Sequence, residues 1–257
     1  MNFWNFIYDK NELEKFYTQI LKPLKDNETY LALSCARHKY VDDKQFKMKN
    51  TEVLDRKLIR HSDDFNKFER SILKLGIPEN YYTNPDDIPY PFDSYVLYIT
   101  INPRDMLKTN YQIINNFNKM MYDSFKSETE VQKSKRLDIV VMSEIQASIG
   151  SKYYLDIDID IKNKQVASEQ VNKFRIFFNN DDCLIPIETR GGFHLLLESS
   201  KIPNELKNSF HQKICFYGKC IKETGRGDIE FKSDSMVPIP GTIQGGFEVK
   251  IRDIKDF

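Results

Sequence analysis

Long apolar runs are missing from this chain. Nothing approaches the roughly 18–20 apolar residues that span a bilayer, and the start, Met1-Asn2-Phe3-Trp4, lacks a basic segment leading into an apolar one. A soluble intracellular protein with no membrane partner is expected. Net charge is also missing, since 38 basic residues balance 38 acidic ones. That excludes bulk, non-specific attraction to nucleic acid but leaves room for a local basic groove. Cysteine is scarce: Cys35, Cys183, Cys215 and Cys220 are too few and too scattered for a disulfide framework. His211, Cys215 and Cys220 fall within ten residues, yet three donors without a second paired motif suggest ordinary cysteines before a zinc site.

The 257 residues that remain are enough for one large domain or two modest ones with a sizeable core. Apolar spacing predicts a helix over 11–24 that stops near Pro23 and a strand over 30–36 that ends in the basic and aromatic cluster Arg37-His38-Lys39-Tyr40. Residues 41–60 are polar without clear period and read as a loop with at most short strands. A helix over 63–75 is closed by Gly76 and Pro78, and a proline-rich connection leads to an apolar strand over 95–101 with both faces buried. After Asn102-Pro103-Arg104 comes a helix with Leu107, Tyr111, Ile114, Phe117 and Met121 on one face, then another over 129–148.

Tyr153-Tyr154-Leu155-Asp156-Ile157-Asp158-Ile159-Asp160-Ile161 alternates like a half-buried strand, but its second residue type is aspartate three times running. Strand period sets these carboxylates on one face about 6.5–7 Å apart, where they repel one another and oppose the low strand preference of Asp. A hard divalent cation would relieve both costs. The plain alternative is an acidic, solvated edge strand. The elements that follow bear on the choice: a helix with Ala167, Val171, Phe174 and Phe178 aligned, strands over 183–188 and 193–198, a helix opened by Pro203, and a strand over 228–232. This is the split β-α-β-β-α-β order, with the acids on its central first strand. The fold expected is therefore α+β, with residues 1–150 as an N-terminal α/β module and 151–257 as a ferredoxin-like palm.

Two further stretches carry chemistry. Thr189-Arg190-Gly191-Gly192-Phe193-His194 joins the second and third strands. Its glycines permit close backbone approach, Arg190 offers a phosphate-binding fork, and His194 opens a strand level with the acids. After the last strand, Lys232 stands ready to neutralise phosphate and Asp234 to complete a metal site, ahead of Pro240-Gly241-Thr242.

Leu155-Asp156-Ile157-Asp158, Gly191-Gly192-Phe193-His194, Asp234 and Pro240-Gly241-Thr242, in that order, resemble the motifs of the archaeo-eukaryotic primase superfamily, the primase-polymerases. Two departures stand out: a third aspartate, Asp160, and a lysine and serine before Asp234, which keeps Asp228 as a rival acid. The resemblance implies a DNA primase or polymerase, a nucleotidyltransferase acting in replication or repair for a phage, plasmid or other mobile element in a bacterial cytoplasm. Asp156, Asp158 and Asp234 would bind two Mg²⁺ or Mn²⁺ ions. His194, Arg190, Gly191, Gly192 and Lys232 would hold the NTP or dNTP, while Arg37, Lys39 and Arg104 would meet template or phosphate. The implied partners are a single-stranded DNA template and a helicase or other replication protein in trans. A metal-dependent nuclease using the same acids and a non-catalytic RNA-recognition-type binding module are the alternatives. The latter should show exposed aromatics where this sheet shows aspartates.

Overall fold

A computed structural model describes residues 6–43, 45–60, 64–75, 82–125 and 137–257. It is an α+β structure of antiparallel sheets with six α-helices among the described residues. None of those helices is long and apolar enough to cross a membrane.

The first sheet has the order β2 (Thr51–Ile59), β1 (Glu28–Arg37), β3 (Tyr95–Thr100), β9 (Met236–Pro238), with the short β4 (Arg104–Asp105) paired to β1. Strands β1 (Glu28–Arg37) and β3 (Tyr95–Thr100) lie where apolar spacing predicts. β2 (Thr51–Ile59) corrects the expectation of a loop, for it pairs antiparallel with β1 along its whole length. Its period is hidden by a register shift between Ser34 and Cys35 and by its place at the sheet edge, where charged side chains suit both faces. Helix α1 (Lys10–Gln19) is capped by Asp9, which accepts from the backbone of Asn11 and Glu12. It ends before the expected 24, because Pro23 excludes helical geometry from the residue before it. Helix α2 (Phe65–Leu73) joins α1 over this sheet, Phe16 against Phe68; its expected stop at Gly76 and Pro78 lies outside the described residues.

Helix α3 (Met106–Ser124) packs on α4 (Leu137–Ala147). The first part of the helix expected over 129–148 lies outside the described residues. Leu107, Tyr111, Ile114, Phe117 and Met121, the residues expected on one face of α3, are exposed.

The second sheet has the order β12 (Lys250–Ile251), β6 (Leu184–Glu188), β7 (Gly192–Glu198), β5 (Tyr154–Asp160), β8 (Asp228–Lys232). Its elements run β5 (Tyr154–Asp160), α5 (Lys164–Phe178), β6 (Leu184–Glu188), β7 (Gly192–Glu198), α6 (Phe210–Glu223) and β8 (Asp228–Lys232). This is the β-α-β-β-α-β order the sequence predicts, with α6 starting seven residues after Pro203 because 204–209 form turns. β5 has a hydrogen-bonded neighbour on each side, which removes the edge-strand alternative. Leu155, Ile157 and Ile159 point toward α5 and α6 and join Val171, Phe174, Phe178 and Ile214 in one core.

The two sheets share a second core. Tyr154, Ile187, Leu196 and Ile251 of the second sheet pack with Phe16, Tyr30, Leu97 and Ile99 of the first layer. The chain also crosses the expected boundary at residue 150 after the β-α-β-β-α-β unit is complete, when β9 (Met236–Pro238) pairs with β3. The turn Pro240-Gly241-Thr242 then reaches the start of α1. Gly241 has φ +83°, and a Cβ there would stand 2.6 Å from Leu13 N, so this glycine serves close approach of backbone to helix. The short β10 (Ile243–Gln244), β11 (Phe247–Glu248) and β12 (Lys250–Ile251) finish the chain.

Candidate functional site

Register fixes what each aspartate faces. Asp156 lies between Leu196 and Lys232, Asp158 between His194 and Glu230, and Asp160 between Gly192 and Asp228. The face therefore changes along β5 from apolar core at Tyr154 and Leu196 to a cavity at Asp158. Asp156 sits at the transition and is wholly buried, whereas Asp160 is exposed.

Hydrogen bonds tie the first two acids to their neighbours. His194 Nδ1 is 2.9 Å from Asp156 Oδ2 and 3.9 Å from Asp158 Oδ1, and Lys232 Nζ donates to Asp158 Oδ2 at 2.5 Å. Burial pulls the His194 pKa down, but the charges of Asp156 and Asp158 and the hydrogen bond to Asp156 outweigh it and leave the imidazole above its ordinary value. Burial works on Asp158 in the opposite sense and is overcome by His194, Lys232 and Lys39, so its carboxyl is held below the usual range. Asp156 Oδ1 is buried without a hydrogen-bond partner. A carboxylate oxygen left without a partner in the interior is costly, and a cation is the partner its chemistry suits.

A cavity of about 330 Å³ opens between the sheets at this point, within the size range of small-ligand sites. One wall is the second sheet: Asp158, Asp160, His194, Asp228, Glu230 and Lys232, with Gly191 at the turn. The other is the first sheet and its continuation: Arg37, Lys39, Tyr40, Tyr98, Met236 and Gln244. Arg37 Nη1 donates to the Tyr98 hydroxyl at 2.7 Å, while Arg37 Nε and the Tyr40 hydroxyl are buried without partners. The Lys39 pKa is lowered by burial and by Arg37 and Arg190, despite Asp160 and Asp158.

The sequence-predicted residues divide accordingly. Asp158, His194, Gly191, Lys232, Arg37 and Lys39 come together at the cavity, with Asp156 directly beneath and Asp160 at the rim. Arg190 is engaged elsewhere: its guanidinium lies 4.8 Å from the Tyr40 ring centre and donates to the Gly245 carbonyl, and its backbone N–H donates to Gln244 Oε1 at 2.9 Å. Gly192 serves the sheet, because with φ +150° a Cβ would meet the Ile159 carbonyl oxygen at 2.0 Å. Asp228, the rival acid, pairs with Lys222 at 2.9 Å at the rim.

Asp234 is held apart. Its Oδ2 is 2.7 Å from Nη1 of Arg104, a side chain only 2% exposed, though the contact lies off the N–H direction and leaves Arg104 Nε and Nη1 without a hydrogen-bond acceptor. Its Oδ1 accepts from Asn102 Nδ2 at 3.2 Å. Asn102 also donates to the Tyr154 carbonyl and accepts from the N–H groups of Tyr153 and Tyr154, so the end of β3 clamps the start of β5. Arg104 thus meets a carboxylate, where a phosphate or template contact was expected. Among the described residues, no three His, Cys, Asp or Glu side chains are gathered into a metal-binding group, at the aspartates or at His211, Cys215 and Cys220. Cys35 and Cys183 are buried; Cys215 is exposed, its sulfur 3.7 Å from His211 Nε2.

Glu230, Tyr98, Gln244 and Asn102 were not singled out from sequence. Glu230 was within reach, since it shares the parity of Asp228 and Lys232 on a strand already predicted; the others depend on which sheet faces which. No protein-family model, curated protein or solved structure matches the chain.

Proposed function

We propose that the cavity binds a nucleoside triphosphate and that the chain is a primase-polymerase, transferring nucleotides onto a single-stranded DNA template. The observation that carries this reading is the opposition of the walls: carboxylates on one side, with Asp156 and its unpartnered oxygen beneath them, and on the other Lys39 and Arg37, whose Nε has no partner. A metal-triphosphate complex presents that pattern in reverse, with hard cations to be ligated and phosphate oxygens to be paired.

Asp156 and Asp158 are the residues that would hold Mg²⁺ or Mn²⁺, and Asp156 Oδ1 is the atom in need of such a partner. Asp234 would join them on release from Arg104. Two such ions, when bound, polarise the attacking hydroxyl and neutralise charge on the pyrophosphate leaving group. The protein's own groups do the positioning. His194 orients Asp156 through Nδ1, Lys232 moves from Asp158 to phosphate, and Arg37 and Lys39 pair phosphate oxygens from the opposite wall. Tyr98 orients the Arg37 fork, and Tyr40 with Arg190 supports that wall. Replication partners such as a helicase belong to the same proposal.

The test supplies a primed or unprimed single-stranded template, Mn²⁺ or Mg²⁺, and labelled NTPs or dNTPs. The expected result is template-dependent incorporation that disappears in an Asp156→Ala, Asp158→Ala variant of unchanged fold. Incorporation undiminished in that variant rejects the assignment, and metal-dependent loss of the template without added nucleotides identifies a nuclease instead.

A further inference from the structure

Helix α3 is amphipathic with its apolar side turned outward. The side that packs on α4 is more polar: Thr109 is fully buried and Asn116 Nδ2 donates to Glu144 Oε1 at 2.8 Å, with Ile113 and Met120 half-buried beside them. On the outer side, Leu107, Tyr111, Ile114, Phe117 and Met121 are between 46% and 68% exposed, and Phe125, just past the helix end, is 82% exposed. Aromatic side chains carry ~150–250 Å² each and Leu, Ile and Met less, so this stripe leaves on the order of 600 Å² of apolar surface in water. That is the top of the roughly 300–600 Å² range for the largest patch of an ordinary monomer and approaches the ~800 Å² that each partner gives to a standard interface.

The spacing specifies what fits there. Leu107, Tyr111, Ile114, Asn118, Met121 and Phe125 recur at alternate steps of four and three, the seam of a heptad. Asn118, also exposed, is its single polar member. Of the flanking positions 108, 110, 115, 117, 122 and 124, only Lys108 is charged, so two copies of the seam can approach with little repulsion. A membrane surface would call for basic residues on the polar face, and that face is already packed on α4. Nucleic acid would call for a row of cations, and the helix has only Lys108 and Lys119.

We infer that this face pairs with the same face of a second copy, the two α3 helices running parallel. In that arrangement Asn118 meets Asn118 of the partner subunit across the two-fold axis, and the two amides satisfy each other. An antiparallel pair would set Asn118 against an apolar residue of the seam. The inference is independent of the nucleotidyl-transfer reading, because no cavity residue lies on α3.

Sedimentation velocity of the intact chain at about 100 µM, a concentration at which even micromolar association is complete, is expected to give twice the 30.4 kDa of one chain. Ile114→Glu should weaken association by at least about tenfold while leaving the thermal melt of the monomer unchanged, since Ile114 already faces water there. A second variant reads orientation: Asn118→Cys in a Cys215→Ser, Cys220→Ser background should form a disulfide-linked dimer under mild oxidation. A chain that stays monomeric, a dimer indifferent to Ile114→Glu, or a dimer that Asn118→Cys fails to cross-link would each overturn the proposal.

Discussion

On one face of β5, Leu155, Ile157 and Ile159 lie beneath α5 and α6, all at or below 7% exposure. On the other, Asp156, Asp158 and Asp160 pass from complete burial through partial burial to solvent within five residues. The apolar face has one environment and one task, which is to hold the sheet to its helices. The acidic face has a gradient, so its three chemically identical side chains are placed for different work. If the comparison is right, substitutions on the two faces should separate stability from activity.

The largest effect expected is on activity. Asp156→Ala with Asp158→Ala should lower nucleotide incorporation by about 10³-fold or more, equivalent to about 4 kcal/mol of transition-state stabilisation. Circular dichroism should keep its shape, while the urea midpoint should fall modestly because His194 and Lys232 lose their carboxylate partners. Ile157→Ala reverses the pattern. Its side chain is fully buried, so about 3 kcal/mol of stability should be lost, while the fraction that remains folded incorporates nucleotide at the normal rate. A loss of activity in folded Ile157→Ala protein equal to that of the aspartate variant would erase the distinction between the faces. Across the cavity, Arg37→Ala should raise the KM for nucleotide about tenfold with little change in kcat, since a charge-assisted contact to phosphate acts on binding.

How far these roles could be read from sequence depends on the kind of signal. The central position of β5 was legible because the order of elements after Lys152 admits few topologies, and the parity of Asp156 and Asp158 fixed their shared face. β2 was not legible, because the bulge opposite Ser34 and Cys35 breaks the alternation that marks a strand. Helix α3 shows a different limit: periodicity identified its apolar side but says nothing of which way that side faces, and here it faces outward and is partly exposed. Arg190 had the right chemistry and the right loop, yet Tyr40 and the Gly245 carbonyl compete for its guanidinium, a contact between segments more than fifty residues apart. Asn102 reads as a turn residue beside Pro103, and only the approach of β5 turns it into the clamp that also restrains Asp234.

The acidic face also contains an acid with a purely structural place. Glu198 lies opposite Tyr154 on β7, and its carboxylate pairs with Lys22 at 3.1 Å and Lys201 at 3.0 Å, joining the segment after α1 to the second sheet. Burial pushes its pKa up, but the two lysines prevail and hold it below the ordinary value. A depressed carboxylate pKa contributes stability that is complete above the unfolded value near ~4.3 and is lost as pH falls through the folded one. Glu198→Gln should therefore cost about 1 kcal/mol at neutral pH and flatten the decline of stability below about pH 4.5. Urea midpoints measured across that range check it, and an unchanged acid limb would place the dependence on other carboxylates.

The smallest effect should come from the third aspartate of the strand, and it is the sharpest test of the gradient. Asp160 shares parity with Asp156 and Asp158, so a role set by face alone would make Asp160→Asn as damaging as either. Its surroundings argue otherwise. It is exposed, Gly192 opposite it offers no side chain, and its other neighbour is Asp228, a like charge already paired with Lys222. Directly opposed carboxylates in a sheet repel by a few tenths of a kcal/mol, so Asp160→Asn should raise stability by no more than about 0.5 kcal/mol. The same substitution removes one of the two carboxylates that favour a charged Lys39, so nucleotide incorporation should fall by less than about threefold. A loss of about 10²-fold in Asp160→Asn would show that the metal pair is Asp158 and Asp160, with Asp156 serving as the buried partner of His194.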